Sequence, residues 1–175
     1  MAQIARICLT GPESTGKSLL AGRLAAHYHT VRVEEFSRDY AEARDGRLTY
    51  DDVETIARGQ VALEEAATPQ ARGLIILDTD VISSIVYSSY CYGGRVPSFA
   101  TERAATHLAD LYLLLDVDVP FVPDRVRSSV EHRHSLYREF RAALEHFGAR
   151  YEVVSGGWEE RYARAAAAID AVVVQ

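Results

Sequence analysis

Short, wholly apolar runs alternate along the chain with longer stretches in which apolar residues recur every three or four positions. Residues 73–78, Gly-Leu-Ile-Ile-Leu-Asp, form the clearest run, and its length and branched side chains predict a strand buried on both faces. Residues 3–9, 30–35, 111–115 and 151–154 predict further strands. Between them, helical periodicity predicts helices over residues 18–26, 36–44, 51–67, 81–90, 100–109 and 135–147, and an Ala-rich closing helix after Gly156-Gly157. Thr49 or Asp51 opens the third of these. Such α/β alternation implies a parallel sheet with helices on both faces, a three-layer arrangement. No repeat, low-complexity segment or long linker divides residues 1–175, so a single domain is expected.

Composition narrows the classes. At 175 residues and 48% hydrophobic content, the chain can bury one substantial core and has no room for a second full domain. A formal charge of −6, with no dense Lys/Arg block, argues against a nucleic-acid partner. Cys8 and Cys91 are the two cysteines, and Cys8 falls in the first predicted strand, so a buried thiol rather than a disulfide is expected. No signal segment opens the chain and no apolar run reaches the roughly 18 residues of a membrane span. The expectation is a soluble cytoplasmic protein that does not engage a membrane, with its oligomeric state left open.

One residue changes the picture most. Lys17 is the single lysine against eighteen arginines, and asparagine is absent altogether. A bias toward GC-rich codons explains both scarcities, so the lysine that survives points to chemistry that requires it. It lies in Gly11-Pro12-Glu13-Ser14-Thr15-Gly16-Lys17-Ser18, which fits the phosphate-binding pattern G-x-x-x-x-G-K-S/T between a predicted strand and a predicted helix. Backbone N–H groups of such a turn wrap the α- and β-phosphates of a nucleotide, and the ammonium serves the β- and γ-phosphates. The site residues expected for ATP are therefore Gly11, Glu13, Ser14, Thr15, Gly16, Lys17 and Ser18, with the Ser18 hydroxyl as a Mg²⁺ ligand.

Other constellations extend this site. Asp78 ends an apolar strand, where a carboxylate holds Mg²⁺ directly or through water. Because ligands bind at the carboxyl ends of strands in open α/β sheets, Asp78, Glu35 and the Gly11 loop should converge. Asp80, Ser84 and Tyr87 share one face of the following helix and could form a polar wall for a hydroxylated acceptor; the competing reading makes Asp80 a helix cap and Tyr87 core. Glu34-Glu35-Phe36-Ser37-Arg38-Asp39-Tyr40 concentrates charge at a strand-to-helix turn. There Glu35 could take the acceptor's proton and Arg38 could neutralise developing charge, against the plainer reading of a local salt-bridge network. Arg125, Arg127, Arg133, Arg138 and Arg141 follow the fourth strand, as in a lid over about residues 118–147; Arg127 and Arg133 are the candidates to contact phosphoryl oxygens. His132 and His134, like His27 and His29, read as solvated residues rather than metal ligands.

These residues together resemble one family, the NadR-type ribosylnicotinamide kinases. The phosphate loop corresponds to G-x-E-S-S/T-G-K-S, Glu35-Phe36-Ser37-Arg38-Asp39-Tyr40 to E-Y/F-x-R-D/E-Y/F, and Asp78-Thr79-Asp80 to D-T-D. Asp124 to Ser128 corresponds to a lid motif D-x-x-R-S, and Arg161-Tyr162 to a late R-Y, so the similarity spans nearly the whole chain. It implies a P-loop kinase that moves the ATP γ-phosphate to the 5′-hydroxyl of nicotinamide riboside, giving nicotinamide mononucleotide for NAD synthesis. Lys17 and the loop would hold the phosphates, Ser18 and Asp78 the Mg²⁺, and Glu35, Arg38, Asp80 and Tyr87 the acceptor. Arg127 and Arg133 would close over the transferring group. Two departures are visible. Well-known members are fused to a helix-turn-helix repressor and a nucleotidyltransferase domain, and these 175 residues hold neither. Some members also carry an aromatic residue before the strand-two glutamate, where this chain has Glu34; Tyr87, Tyr90 or Tyr92 would then supply stacking. The rivals are a kinase of the same fold acting on another nucleoside or small metabolite, and a non-kinase ATP-dependent switch. An ordinary GTPase lacks support because N-K-x-D is impossible without asparagine, and about 175 residues leave little room for the helical subdomain of a hexameric motor.

Overall fold

A computed structural model of the chain describes residues 4–120 and 130–173. Five strands, β1 (Ala5–Thr10), β2 (Arg32–Val33), β3 (Leu74–Asp78), β4 (Leu111–Leu115) and β5 (Tyr151–Val154), pair in parallel in the order β2-β3-β1-β4-β5. The helices are α1 (Lys17–His27), α2 (Phe36–Glu42), α3 (Tyr50–Ala67), α4 (Val81–Cys91), α5 (Ser98–Thr106), α6 (Val130–His146) and α7 (Trp158–Val173).

Strand alternation sends side chains to two cores. From β1, β3 and β4, the residues Cys8, Ile75, Leu77, Tyr112 and Leu114 meet Ala57, Ile82, Phe140 and Leu144 of α3, α4 and α6. The intervening Ile7, Leu9, Ile76, Leu111 and Leu113 meet Leu20, Leu24, Ala165 and Ile169 of α1 and α7. Since both faces are covered, the central strands must be apolar throughout, and β3 and β4 are buried at every position. Each buried Leu or Ile contributes roughly 1.5–3 kcal/mol, so this double layer is the main driving force for the fold.

Expected elements and observed ones agree in order and type, with strands 111–115 and 151–154 matching at both ends. The helix expected over 135–147 runs from Val130 to His146, starting five residues early, and two other elements fall short of their expected ends. The second strand contracts to Arg32–Val33, because at the sheet edge β2 has one neighbour and its ladder runs only from Arg32–Ile76 to Val33–Leu77. The fifth helix stops at Thr106, ahead of the expected 109, and His107 turns out of helical geometry. Thr49 opens α3 with a capping box, its N–H and hydroxyl both donating to the Asp52 carboxylate at 2.8 and 2.9 Å. Gly59 lets the Phe36 ring lie against α3 where a Cβ would collide. That contact fixes α2 against α3 and with it the turn carrying Glu35.

Candidate active site

Leu9 of β1 is in register with Asp78 of β3, so the chain leaves β1 beside the carboxylate that ends β3. The turn from β1 into α1 needs backbone that side chains oppose. Gly11 has φ 128°, and a Cβ there would press on the Leu115 carbonyl; Gly16 has φ 86°, and a Cβ there would strike the tip of the Trp158 indole. Ser14 also adopts positive φ, 55°. The loop thus curls back and presents α1 by its N-terminus, an anion-binding geometry in which backbone N–H groups and the helix dipole favour negative charge.

Lys17 is buried, and its ammonium donates to the Gly11 and Pro12 carbonyls at 2.9 and 2.7 Å, spanning the loop's mouth. The loop is braced from behind. Arg161, fully buried on α7, donates to the carbonyls of Gly156 (2.8 Å), Thr15 (2.9 Å) and Asp116 (3.1 Å) and to the Asp118 carboxylate. Arg133 on α6, also buried, donates to the carbonyls of Ser14 and Val119 at 3.2 and 3.1 Å, and burial lowers its pKa. Arg133 stands against the phosphate loop and holds backbone carbonyls, rather than pointing toward phosphoryl oxygens. Arg127, with the whole 124–128 motif, lies outside the described residues.

Asp78 is 1% exposed, and among the described residues neither of its carboxylate oxygens has a hydrogen-bond partner. Burial raises its pKa, while the neighbouring Ser18 hydroxyl and Lys17 ammonium offset part of the rise. A buried carboxylate with two open oxygens beside a serine hydroxyl is the donor set a hard cation takes, so the residues present fit Mg²⁺. They also fit it sparingly: no group of three His, Cys, Asp or Glu among the described residues could hold a metal by protein ligands alone. That suits an ion completed by water and phosphate oxygens.

Thr79 links the two acids in an αL conformation at φ 70°, costly for a β-branched residue. Its N–H donates to the Leu9 carbonyl at 3.0 Å. Asp80 then turns inward and is 2% exposed. One of its oxygens accepts from the Ile82 N–H at 2.9 Å, capping α4, and the other accepts from the Tyr112 hydroxyl at 2.5 Å. Asp80 lines the cavity wall with both oxygens engaged, in the geometry of the helix cap that is its alternative reading. Burial raises its pKa, with the Tyr112 and Ile82 bonds pulling the other way.

A cavity of about 480 Å³ opens beside the loop, bounded by Glu13, Glu35, Arg38, Thr49, Tyr87 and His132 among others. A smaller one, about 210 Å³, is bounded by Ser18, Glu34, Glu35, Arg38, Asp39 and Asp78. Glu35 and Arg38 belong to both, so they stand where the larger cavity meets the Ser18–Asp78 side of the loop. The Ser37 hydroxyl donates to one Glu35 oxygen at 2.8 Å, and Arg38 Nε lies 3.8 Å from the other. The segment thus forms a local ion pair and lines both cavities. Tyr87 of α4 faces the cavity and donates to the Glu13 carboxylate at 2.6 Å. Tyr90 and Tyr92 line it too. Glu13 is therefore placed on the side of the large cavity, away from the position expected of a nucleotide ligand. Ser84 is half-buried on the same wall.

Gln60, Trp158 and His132 were missed by sequence reasoning, and Arg161 was seen only as part of a late R-Y pair. Gln60, 2% exposed on α3, accepts from the Phe36 N–H at 2.9 Å and donates to the Glu34 and Thr79 carbonyls, tying the β2–α2 and β3–α4 turns together. Its signal was a polar residue within the apolar stripe Val53, Ile56, Ala57, Val61. Arg161 and Trp158 brace the loop from a helix about 140 positions away, which no local pattern could reveal. His132, read as solvated, meets the Tyr90 hydroxyl at 2.5 Å across the cavity rim.

A phosphate-loop backbone beside a cavity large enough for a nucleoside, with Glu35 and Arg38 between them, is the layout of P-loop phosphotransferases. The comparisons agree. The profile of the family described as AAA domain matches residues 6–161, and the chain belongs to that family. The trifunctional NAD biosynthesis/regulator proteins NadR of Escherichia coli (strain K12) and Salmonella typhimurium (strain LT2) are each 31% identical to it over 128 residues. Those alignments take in 70% of this chain and 30% of each relative. A crystal structure of NadR protein in complex with NR superimposes with a TM-score of 0.77 at 26% identity, over 97% of this chain and 51% of that one. Another, in complex with NAD and AMP-PNP, gives 0.76 over 98% and 50%. A thymidylate kinase from Ehrlichia chaffeensis, 16% identical, shares the fold with a TM-score of 0.62 over 98% of both chains. The resemblance to NadR-type kinases drawn from the motifs is borne out, as is the three-layer α/β P-loop fold. The chain spans about half the length of the NadR chains in those structures. No helix among the described residues is long and apolar enough to cross a membrane.

Proposed function

We propose that this protein is an ATP-dependent kinase of nicotinamide riboside, transferring the γ-phosphoryl group to the 5′-hydroxyl to give nicotinamide mononucleotide, and that residues 1–175 act as one kinase domain. The observation that carries the reading is the junction of the two cavities at Glu35 and Arg38. An acceptor hydroxyl seated there would face the phosphate side of the loop with a carboxylate beside it. The sequence similarity to NadR supports the choice of acceptor.

In this reading the loop amides and Lys17 bind the nucleotide's phosphates, which displace the ammonium from the Gly11 and Pro12 carbonyls. Mg²⁺, held by Ser18 and Asp78, would neutralise charge on the phosphate oxygens. Glu35 accepts the proton of the attacking hydroxyl at its carboxylate, and Arg38 steadies that carboxylate and the developing negative charge. Asp80 orients the first turn of α4, and with it Tyr87, instead of taking a proton. Arg133 and Arg161 hold the loop's carbonyls so that its N–H groups stay turned toward phosphate.

ADP release should be measured with MgATP, comparing nicotinamide riboside with a panel of ordinary nucleosides and no acceptor. Stimulation by nicotinamide riboside, lost in Lys17→Ala and falling about 10²- to 10⁴-fold in Glu35→Gln, is expected. Stimulation by another nucleoside alone would replace the acceptor, and hydrolysis indifferent to every acceptor would remove the kinase reading.

A further inference from the structure

Glu13 poses a problem that the phosphate loop does not answer. A carboxylate in a loop built to attract anions repels the nucleotide, so its presence calls for a compensating task. Its placement suggests one. It is 6% exposed, lines the large cavity and not the small metal-side one, and is fixed there by the Tyr87 hydroxyl at 2.6 Å. The charges facing that cavity are strongly one-sided. Among the described residues, carboxylates of Glu13, Glu35 and Glu42 line it, with Asp80 in the wall behind, against the one guanidinium of Arg38, which lies by Glu35. Of the described basic groups nearby, His132 is bonded to Tyr90, and Arg133, which feels the field of Glu13, donates to the Ser14 and Val119 carbonyls. Tyrosine rings at 87, 90 and 92 complete a wall that suits a flat cation.

We propose that Glu13, held by Tyr87, is a specificity-determining residue that reads positive charge on the acceptor's ring, so that the cavity selects a cationic N-riboside over neutral nucleosides. This rests on the acceptor reading above and adds the physical basis of its selectivity. The quaternary ring nitrogen of a pyridinium riboside carries a full charge at every pH, whereas purine and pyrimidine nucleosides are neutral near pH 7. In a partly desolvated cavity a carboxylate at ring distance discriminates between them by attraction that water would otherwise screen.

The test compares nicotinamide riboside with its reduced dihydro form, which keeps the ribose and carboxamide but has an uncharged ring, using the full chain and MgATP. Wild type is expected to favour the cation, and Glu13→Gln, which keeps the size and the hydrogen-bond acceptor for Tyr87, to lose about ten- to a hundredfold in kcat/KM for it. The loss for the dihydro riboside should stay below about threefold. Tyr87→Phe should move the ratio the same way by a smaller factor, and carries the comparison if Glu13→Gln fails to fold. Equal losses for both acceptors, or a wild type indifferent to ring charge, would overturn the inference while leaving the kinase reading in place. Turnover of neither riboside by wild type, with another nucleoside phosphorylated, would sink the acceptor reading and this inference with it.

Discussion

Replacing Asp78 by Asn should make the ligand-free protein more stable and its nucleotide-bound form less so, because in the proposed mechanism this carboxylate serves the metal at the expense of the fold. Asp78 is 1% exposed and, among the described residues, neither oxygen has a hydrogen-bond partner. A buried charged group left unsatisfied costs about 1–3 kcal/mol or more. Asn keeps the shape, removes the charge and leaves a smaller penalty for one unpaired amide, so a net gain of about 1–2 kcal/mol is expected at pH 8. At roughly 2–4 °C per kcal/mol for a chain of this size, that is about 2–8 °C in Tm. The sign depends on pH. Burial raises the Asp78 pKa, so the folded state keeps its proton to higher pH than the unfolded chain does. Wild-type stability from this group is full below the ordinary carboxylate range and is lost as pH rises through the raised value. The gap between variant and wild type should therefore be small near pH 4 and full at pH 8. With MgATP at a hundred times its Kd, wild type should gain about 2.7 kcal/mol, or some 5–11 °C, and Asp78→Asn much less. Thermal unfolding at pH 4, 6 and 8, with and without MgATP, reads both effects. A variant that unfolds below wild type at pH 8, or that keeps the whole MgATP shift, would refute the argument.

Two further outcomes test other parts of the structure. Glu64, buried on α3, has its pKa pushed up to about 7, by burial first and then by the charge of Asp80, against the pull of Arg6, whose guanidinium donates to it at 2.7 Å. Stability from this group is present below its ordinary value and lost as pH rises toward 7, so from pH 4.5 to 8 wild type should lose about 2–3 kcal/mol more than Glu64→Gln; parallel urea-midpoint curves for the two proteins would contradict this. Arg161→Met leaves the buried carbonyl of Thr15 and the partly buried carbonyls of Asp116 and Gly156 without their donor and should cost about 2–4 kcal/mol in chemical denaturation. Its MgATP KM should rise as well, and Arg161→Lys should recover less than half of the lost stability, since one ammonium cannot reach all the acceptors.

The sequence alone determined what depends on neighbours in the chain. A strand buried on both faces must be apolar throughout, so β3 and β4 were legible as runs; the phosphate loop was legible because its glycines and single lysine act within eight consecutive positions. Asp78 could be read for the same reason, as the polar end of an apolar strand. Only the tertiary structure decided what each carboxylate touches. Glu35 and Asp80 are both acids just past a strand, and their types and spacings are compatible with the same chemistry. Packing separates them, because Tyr112 of β4 and the first turn of α4 engage both oxygens of Asp80, whereas Glu35 is set between the two cavities by Gln60 and by the Phe36 contact at Gly59. Glu13 likewise belonged by its motif to the nucleotide, and the helix that brings Tyr87 to it lies 74 positions away. Arg161 was visible as part of a late R-Y pair, but its grip on the loop exists only because the parallel sheet brings the ends of β1, β4 and β5 to one edge. Short-range chemistry is written in the chain as pattern, while the partner of a buried charge is set by the long-range packing that desolvates it.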